Sequence, residues 1–273
     1  MTGRIDTSTA VEPTSTNGAV TLAHSHEGLV ATLTIDRPAK LNALTLEMLD
    51  ELERRLGELA VSSARVVLVR TGGTKVFCVG ADISAFSQLS PADMWRRWIS
   101  DGHRVFDRLA RLRQPTIAVV DGLAVGGGLE LALACDMRLA GRNAGFGLPE
   151  VGLGTNPGWG GTERLTQLVG ASRAKQLILT RRQIDATTAE KWGLVNDVAA
   201  DELDTEVERY VSDLLGSAPI AQQVAKQLVD AAAAGAPSAI VEGIASGFTS
   251  CTDDFAGGIR AFTNKSVPDF RGR

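Results

Sequence analysis

Residues 125–135 read VGGGLELALAC. Three glycines close one element and open the next, and from Leu129 to Cys135 every side chain is apolar except that of Glu130. A helix so apolar is buried on most of its faces, which puts Glu130 inside the protein or on a cavity wall. A desolvated carboxylate is costly unless it protonates or finds a partner, and such groups are kept mainly where a shifted pKa is useful. Two readings stay open on this stretch alone. Glu130 can pair with a cation such as Arg138 and hold the helix in place, or it can serve a reaction.

Working outward, 116–120 (TIAVV) reads as the strand that delivers the chain to the glycines, and 136–140 resumes the alternation. Upstream, 28–36 (GLVATLTID) and 65–70 (RVVLVR) are rich in β-branched residues and read as strands. Between them 37–44 is a turn broken by Pro38. Thr45 then caps a helix to about Leu59, with Leu46, Met48, Leu49, Leu52 and Leu56 along one side. Pro91 opens a second helix to about Leu112, carrying Trp95, Trp98, Ile99, Phe106 and Leu109 at helical spacing. From about Asp201 the chain reads mostly as helix. Alternating strand and helix imply a parallel sheet with helices outside it, and the helical tail suits packing or assembly. No internal repeat of fixed period is visible.

The bulk composition limits the partners. At 273 residues, 44% of them apolar, the chain can build a large core. Lys and Arg number 28 against 32 Asp and Glu, a net charge of −4, so no general attraction to nucleic acid or anionic membrane is expected. No apolar run approaches the ~20 residues of a bilayer span. Residues 1–18, rich in Thr and Ser, read as a disordered lead-in and lack a signal-peptide core, so the expected compartment is the cytosol. Cys78, Cys135 and Cys251 are odd in number and far apart, and no His stands at ligand spacing, so neither a disulfide framework nor a metal site is expected. Cys78 and Cys135 read as small buried hydrophobes.

Three local features carry chemistry. The glycines at 126–128 let a ligand oxygen approach the backbone, and the first N–H groups of a helix lack internal partners, so one could hold a developing oxyanion; a mere tight turn is the alternative. The loop 79–83 (VGADI) follows a strand and could offer a second N–H, from Ala81, beside that of Gly127. Twenty residues past Glu130 stands Glu150, fixed by Pro149 and surrounded by glycines. Two carboxylates flanking one water are suited to activating it while delivering a proton, although a carboxylate in a loop is also commonly just solvated.

In order and spacing, these stretches resemble the enoyl-CoA hydratase/isomerase (crotonase) superfamily from about Val20 to Phe270. The resemblance is carried by IDRPAKLNAL at 35–44, FCVGADIS at 77–84, VVDGLAVGGGLELALACD at 119–136, FGLPEVGLGTNPGWGGTERL at 146–165 and AFTNKSVPDF at 261–270. It implies an α/β, crotonase-like (ClpP/crotonase) spiral of repeated ββα units, with the active site in a core over 19–200 and a C-terminal helical trimerisation region over 201–273. It implies an acyl-CoA thioester substrate, with coenzyme A as part of that substrate and no permanently bound cofactor. It also implies assembly as a homotrimer or dimer of trimers.

Position by position, Ala81 and Gly127 match the two oxyanion donors, and Glu130 and Glu150 match the two glutamates of the hydratases. Asp82, Ile83 and Ser84 match the stretch lining coenzyme A, and Lys40 and Leu41 match the first turn that contacts it. Gly158 and Gly161 match positions that place the water and Glu150, and Lys265 falls in a tail able to reach a coenzyme A phosphate. Ser84 stands where many members carry Lys. Trp159 replaces a residue that is usually small; facing the cleft, it would shorten the acyl pocket or wall it with an aromatic ring, and the other placement is outside the turn. Both glutamates favour hydration or dehydration, in fatty-acid metabolism for example. Isomerase or hydrolase chemistry on a bulky acyl-CoA is the alternative, and an acyl-CoA- or RNA-binding relative is a third reading, which the acidic balance opposes.

Overall fold

The computed structural model describes residues 18–73 and 75–273; all but the last residue of the expected lead-in over 1–18 lies outside them. Two sheets organise the core. A six-stranded sheet runs in the order Ala19–Ser25, Val30–Asp36, Val66–Thr71, Thr116–Val120, Met137–Ala140, Asp197–Val198. Only its first pair is antiparallel. A smaller sheet orders Val76–Cys78, Leu123–Val125, Gly145–Gly147 and Ile184–Asp185.

The chain steps between the sheets. Val66–Thr71, Thr116–Val120 and Met137–Ala140 each belong to the large sheet, and each is followed within a few residues by a strand of the small one. A helical segment then leads back. This is the repeated ββα spiral that the resemblance implies. The turns of the spiral have unequal lengths, so no periodicity reaches the sequence.

The strands of the large sheet are covered on both faces, as parallel strands require. Val67 and Val69 face a core that includes Leu49, Leu52, Phe77, Phe106 and Leu129. Their neighbours Val66 and Leu68 face a second cluster, completed by Val207 and Val211 of the helix Leu203–Leu215. The helix Leu46–Val61 is capped by the Thr45 side chain, which accepts from the Met48 N–H, and it buries Met48, Leu49, Leu52, Leu56 and Leu59. That spacing is the one expected for one face of a helix.

The second expected helix is present with an irregularity. Pro91–Asp93 leads into a π-helical turn, Met94–Ile99, and then into the helix Ser100–Ala110. Trp98 and Phe106 are buried, whereas Trp95 is 71% exposed and takes no part in the core. The hairpin strand Ala19–Ser25 has no counterpart in the sequence reading, because Val20 alone among its residues is buried and no alternation marks it.

Beyond Leu215 come Pro219–Ala233, Ser238–Thr249 and Asp253–Asn264. Lys226 ties the first of these helices to the core: its ammonium lies 2.8 Å from Asp136 and donates to the Gln114 carbonyl. Val229, Ile240, Ile244, Phe248, Ile259 and Phe262 on these helices are exposed. Cys78 and Cys135 are buried, and burial pushes both thiols up to about 12, while Cys251 is exposed.

Candidate active site

The helix Gly127–Leu133 is buried at every residue, so Glu130 is 2% exposed. Its carboxyl is held by backbone. Oε1 accepts from the Trp159 N–H and the Gly161 N–H, each at 2.8 Å. Arg138 is not its partner: that guanidinium donates to the Leu194 and Cys135 carbonyls at 2.7 and 2.8 Å. Burial raises the Glu130 pKa, and the N–H groups of Gly161, Trp159 and Gly158 act against it. Gly161 must lack a side chain here, since a Cβ would sit 2.7 Å from Glu130 Cγ.

Glu150 opens a short 3-10 turn, Glu150–Leu153, straight after Pro149. Its two carboxyl oxygens are buried and have no hydrogen-bond partner among the described residues. Burial pushes its pKa up to about 7, and the Glu130 charge pushes the same way. The carboxyl reaches the glycine turn, where a Cβ on Gly126 would lie 3.2 Å from Glu150 Oε1. Two like charges in one poorly solvated space disfavour double ionisation, so the pair holds a proton more readily than either carboxyl would alone.

The two expected donor loops meet. Gly80, with a φ of +90°, packs so closely on Gly127 that a Cβ at Gly80 would be 2.6 Å from the Gly127 nitrogen. The loop that carries Ala81 is laid against the turn before it. The Leu44 N–H donates to the Gly80 carbonyl and the Asp82 N–H to the Leu44 carbonyl, at 2.7 and 2.8 Å. That bridge consumes groups on either side of Ala81 and leaves the Ala81 N–H turned away from Leu44. Gly127 is the first residue of its helix, where an N–H has no intrahelical acceptor.

Asn42 fixes the turn between Pro38 and Leu44 against which the Ala81 loop is laid, and the sequence reading did not single it out. It is 1% exposed and has a left-handed φ of 57°. Its side chain accepts from the Arg37 N–H and donates to the carbonyls of Gly72, Val76 and Phe77. The available signal was an Asn in a turn after Pro, a residue type that tolerates left-handed backbone.

A cavity of about 110 Å³ brings together Ala81, Gly127, Glu130, Glu150 and Trp159. Ile83 and Gly158 also line it, and Gly161 touches it through its N–H to Glu130. Trp159 is 2% exposed and turned inward, not outside its turn. The other expected contacts lie away from these walls. Lys40 and Leu41 are exposed on the turn before Asn42, and Lys265 is exposed at the end of the last helix. The Asp82 carboxylate faces the protein. The Ser84 hydroxyl bonds to it, Arg37 pairs with it at 2.7 Å, and together they hold it down at about 2. No group of three or more His, Cys, Asp or Glu among the described residues is arranged to hold a metal ion.

The sequence model of the enoyl-CoA hydratase/isomerase family matches residues 25–273. The chain is 44% identical over 206 residues to the short-chain-enoyl-CoA hydratase of Clostridium acetobutylicum, covering 75% of this chain and 78% of that one. It is 38% identical to the 2,3-dehydroadipyl-CoA hydratase of Escherichia coli, covering 91% and 98%. The crystal structure of an enoyl-CoA hydratase from Bacillus anthracis superposes with a TM-score of 0.87 at 33% identity, covering 94% of this chain and all of the other. With two glutamates and two glycine-rich loops gathered on one cavity, and with likeness of this extent, the chain belongs to the enoyl-CoA hydratase/isomerase family.

Proposed function

We propose that this protein adds water to, or removes it from, the 2,3 double bond of an enoyl-CoA thioester. One observation carries the reading: Glu130 and Glu150 share a small cavity whose wall also holds Ala81 and Gly127. Water addition at the β-carbon pushes electrons onto the thioester oxygen, and the N–H groups of Ala81 and Gly127 receive that charge. In comparable sites one such donor is worth about 2.7–4 kcal/mol of barrier. The carboxylate of the pair takes a proton from water as it attacks, and the carboxylic acid supplies the proton to the α-carbon. Dehydration runs the same steps backwards. A pair holding one proton serves both directions, and burial sets that state up near neutral pH.

Coenzyme A enters as part of the substrate, and the chemistry asks for no resident cofactor. Its pantetheine arm suits the exposed apolar side chains of Ile83 and Leu41, which are 54% and 51% exposed. The same reading assigns the exposed Lys40 and Ser84 to the coenzyme A phosphates, and the exposed Lys265 to those bound by a neighbouring copy. The exposed apolar residues of the last three helices favour assembly as a homotrimer or dimer of trimers.

The test is loss of the conjugated-thioester absorbance of 2-butenoyl-CoA, with the 3-hydroxy product identified. Wild-type protein consumes it. Glu130→Gln and Glu150→Gln each lower kcat about 10²–10⁴-fold, while a coenzyme A thioester still binds. Wild-type turnover by either variant would remove that residue from the mechanism.

A further inference from the structure

The least expected residue at the site is Trp159, and its surroundings are shaped to hold it. It sits in the turn Gly158-Trp159-Gly160-Gly161, and its own N–H binds Glu130. The backbone of this residue thus serves the carboxyl while its side chain is free for another purpose. The indole lies beside Gly127, where a Cβ would be 2.5 Å from Trp159 Cζ3. Its Nε1–H donates to the Trp98 carbonyl at 3.0 Å. The Trp98 ring packs on it at a tilt and the Phe106 ring edge-on, at centroid distances of 5.4 and 5.3 Å. A ring bonded at one edge and packed by two others cannot swing aside at low cost.

The helix that receives the indole is built around it. Gly102 lies buried within Ser100–Ala110, and any Cβ there would collide with Trp159 Nε1. Glycine inside a helix is destabilising relative to alanine; here it makes room for one ring. Just before it, the π-helical turn Met94–Ile99 sets Met94, Trp98 and Ile99 on the cavity wall. Residues four and five apart share a side of such a turn. The remaining space is about 110 Å³, and its walls also carry Ala81, Gly127, Glu130 and Glu150, so the acyl chain shares it with the thioester carbonyl and the reacting water.

Resting on the hydratase reading, we propose that Trp159 is the floor of the acyl pocket, seated by Gly102 and the Trp98 carbonyl, and that it restricts the substrate to short 2-enoyl thioesters of about four carbons. A longer chain would have to displace a packed, hydrogen-bonded ring. Misfit of this kind discriminates by about 10–200-fold per methylene-sized change.

The experiment compares kcat/KM for 2-butenoyl-, 2-hexenoyl- and 2-decenoyl-CoA in wild type, Trp159→Ala and Trp159→Phe. Wild type should favour the four-carbon over the ten-carbon substrate at least tenfold. Trp159→Ala should shift that ratio at least tenfold toward decenoyl-CoA, with Trp159→Phe, which keeps a ring and the fold, falling between. Equal use of all three lengths by wild type overturns the proposal without any variant being needed, and so does a ratio unchanged in a folded Trp159→Ala. If wild type hydrates none of the three, the hydratase reading itself has failed, which is a different result.

Discussion

Glu150 carries the clearest pH signature in the protein. Its pKa in the folded chain, about 7, lies above the 4.5 of a free carboxyl, so folding favours its neutral form. The stability it contributes is complete below about 4.5 and is lost as pH rises through about 7. Gln cannot ionise, so Glu150→Gln escapes that loss. Thermal melts from pH 5 to pH 8.5 should show the variant gaining on wild type as pH rises, even as it loses turnover. A melting difference that stays flat across this range would mean Glu150 is charged and solvated throughout. Glu130 was legible as the lone polar residue of an apolar helix. Its holders were not, because the N–H groups of Trp159 and Gly161 lie about thirty residues away and reach it only through the spiral.

Among the elements, the turn around Asn42 does the most to place the donors. Asn42→Ala leaves the carbonyls of Gly72, Val76 and Phe77 without their shared donor, and unsatisfied buried groups cost ~1–3 kcal/mol each. Denaturant titration should register a loss of about 3 kcal/mol, and kcat should fall more than KM rises, since the Ala81 loop rests on this turn. Unchanged kinetics in a destabilised variant would make Asn42 a residue of the fold alone. Long elements were readable from residues: Thr45 with its stripe of leucines marks a helix by local pattern, and the stripe is the face that the core buries. The strands Val76–Cys78, Leu123–Val125 and Gly145–Gly147 were not readable, because three residues are too few to show alternation. Yet these strands bring Gly80 against Gly127 and so build the site.

For the whole molecule, the terminal helices leave more apolar surface than a lone copy keeps at ease. Phe262 is 87% exposed and Ile244 71%. Light scattering should give a multiple of 28.8 kDa for wild type, and Phe262→Glu should shift the distribution toward smaller species. A wild-type mass of one chain would sink the assembly proposal. The sequence showed that a helical tail exists but not where it docks. The tie of Lys226 to Asp136 joins residues ninety positions apart, which no local pattern announces. The contrast among the cysteines has a practical side. With Cys78 and Cys135 sealed in as thiols, a maleimide dye should find only Cys251 on the intact protein, between the last two helices, so the unaltered sequence carries its own attachment point for fluorescence on the terminal helices.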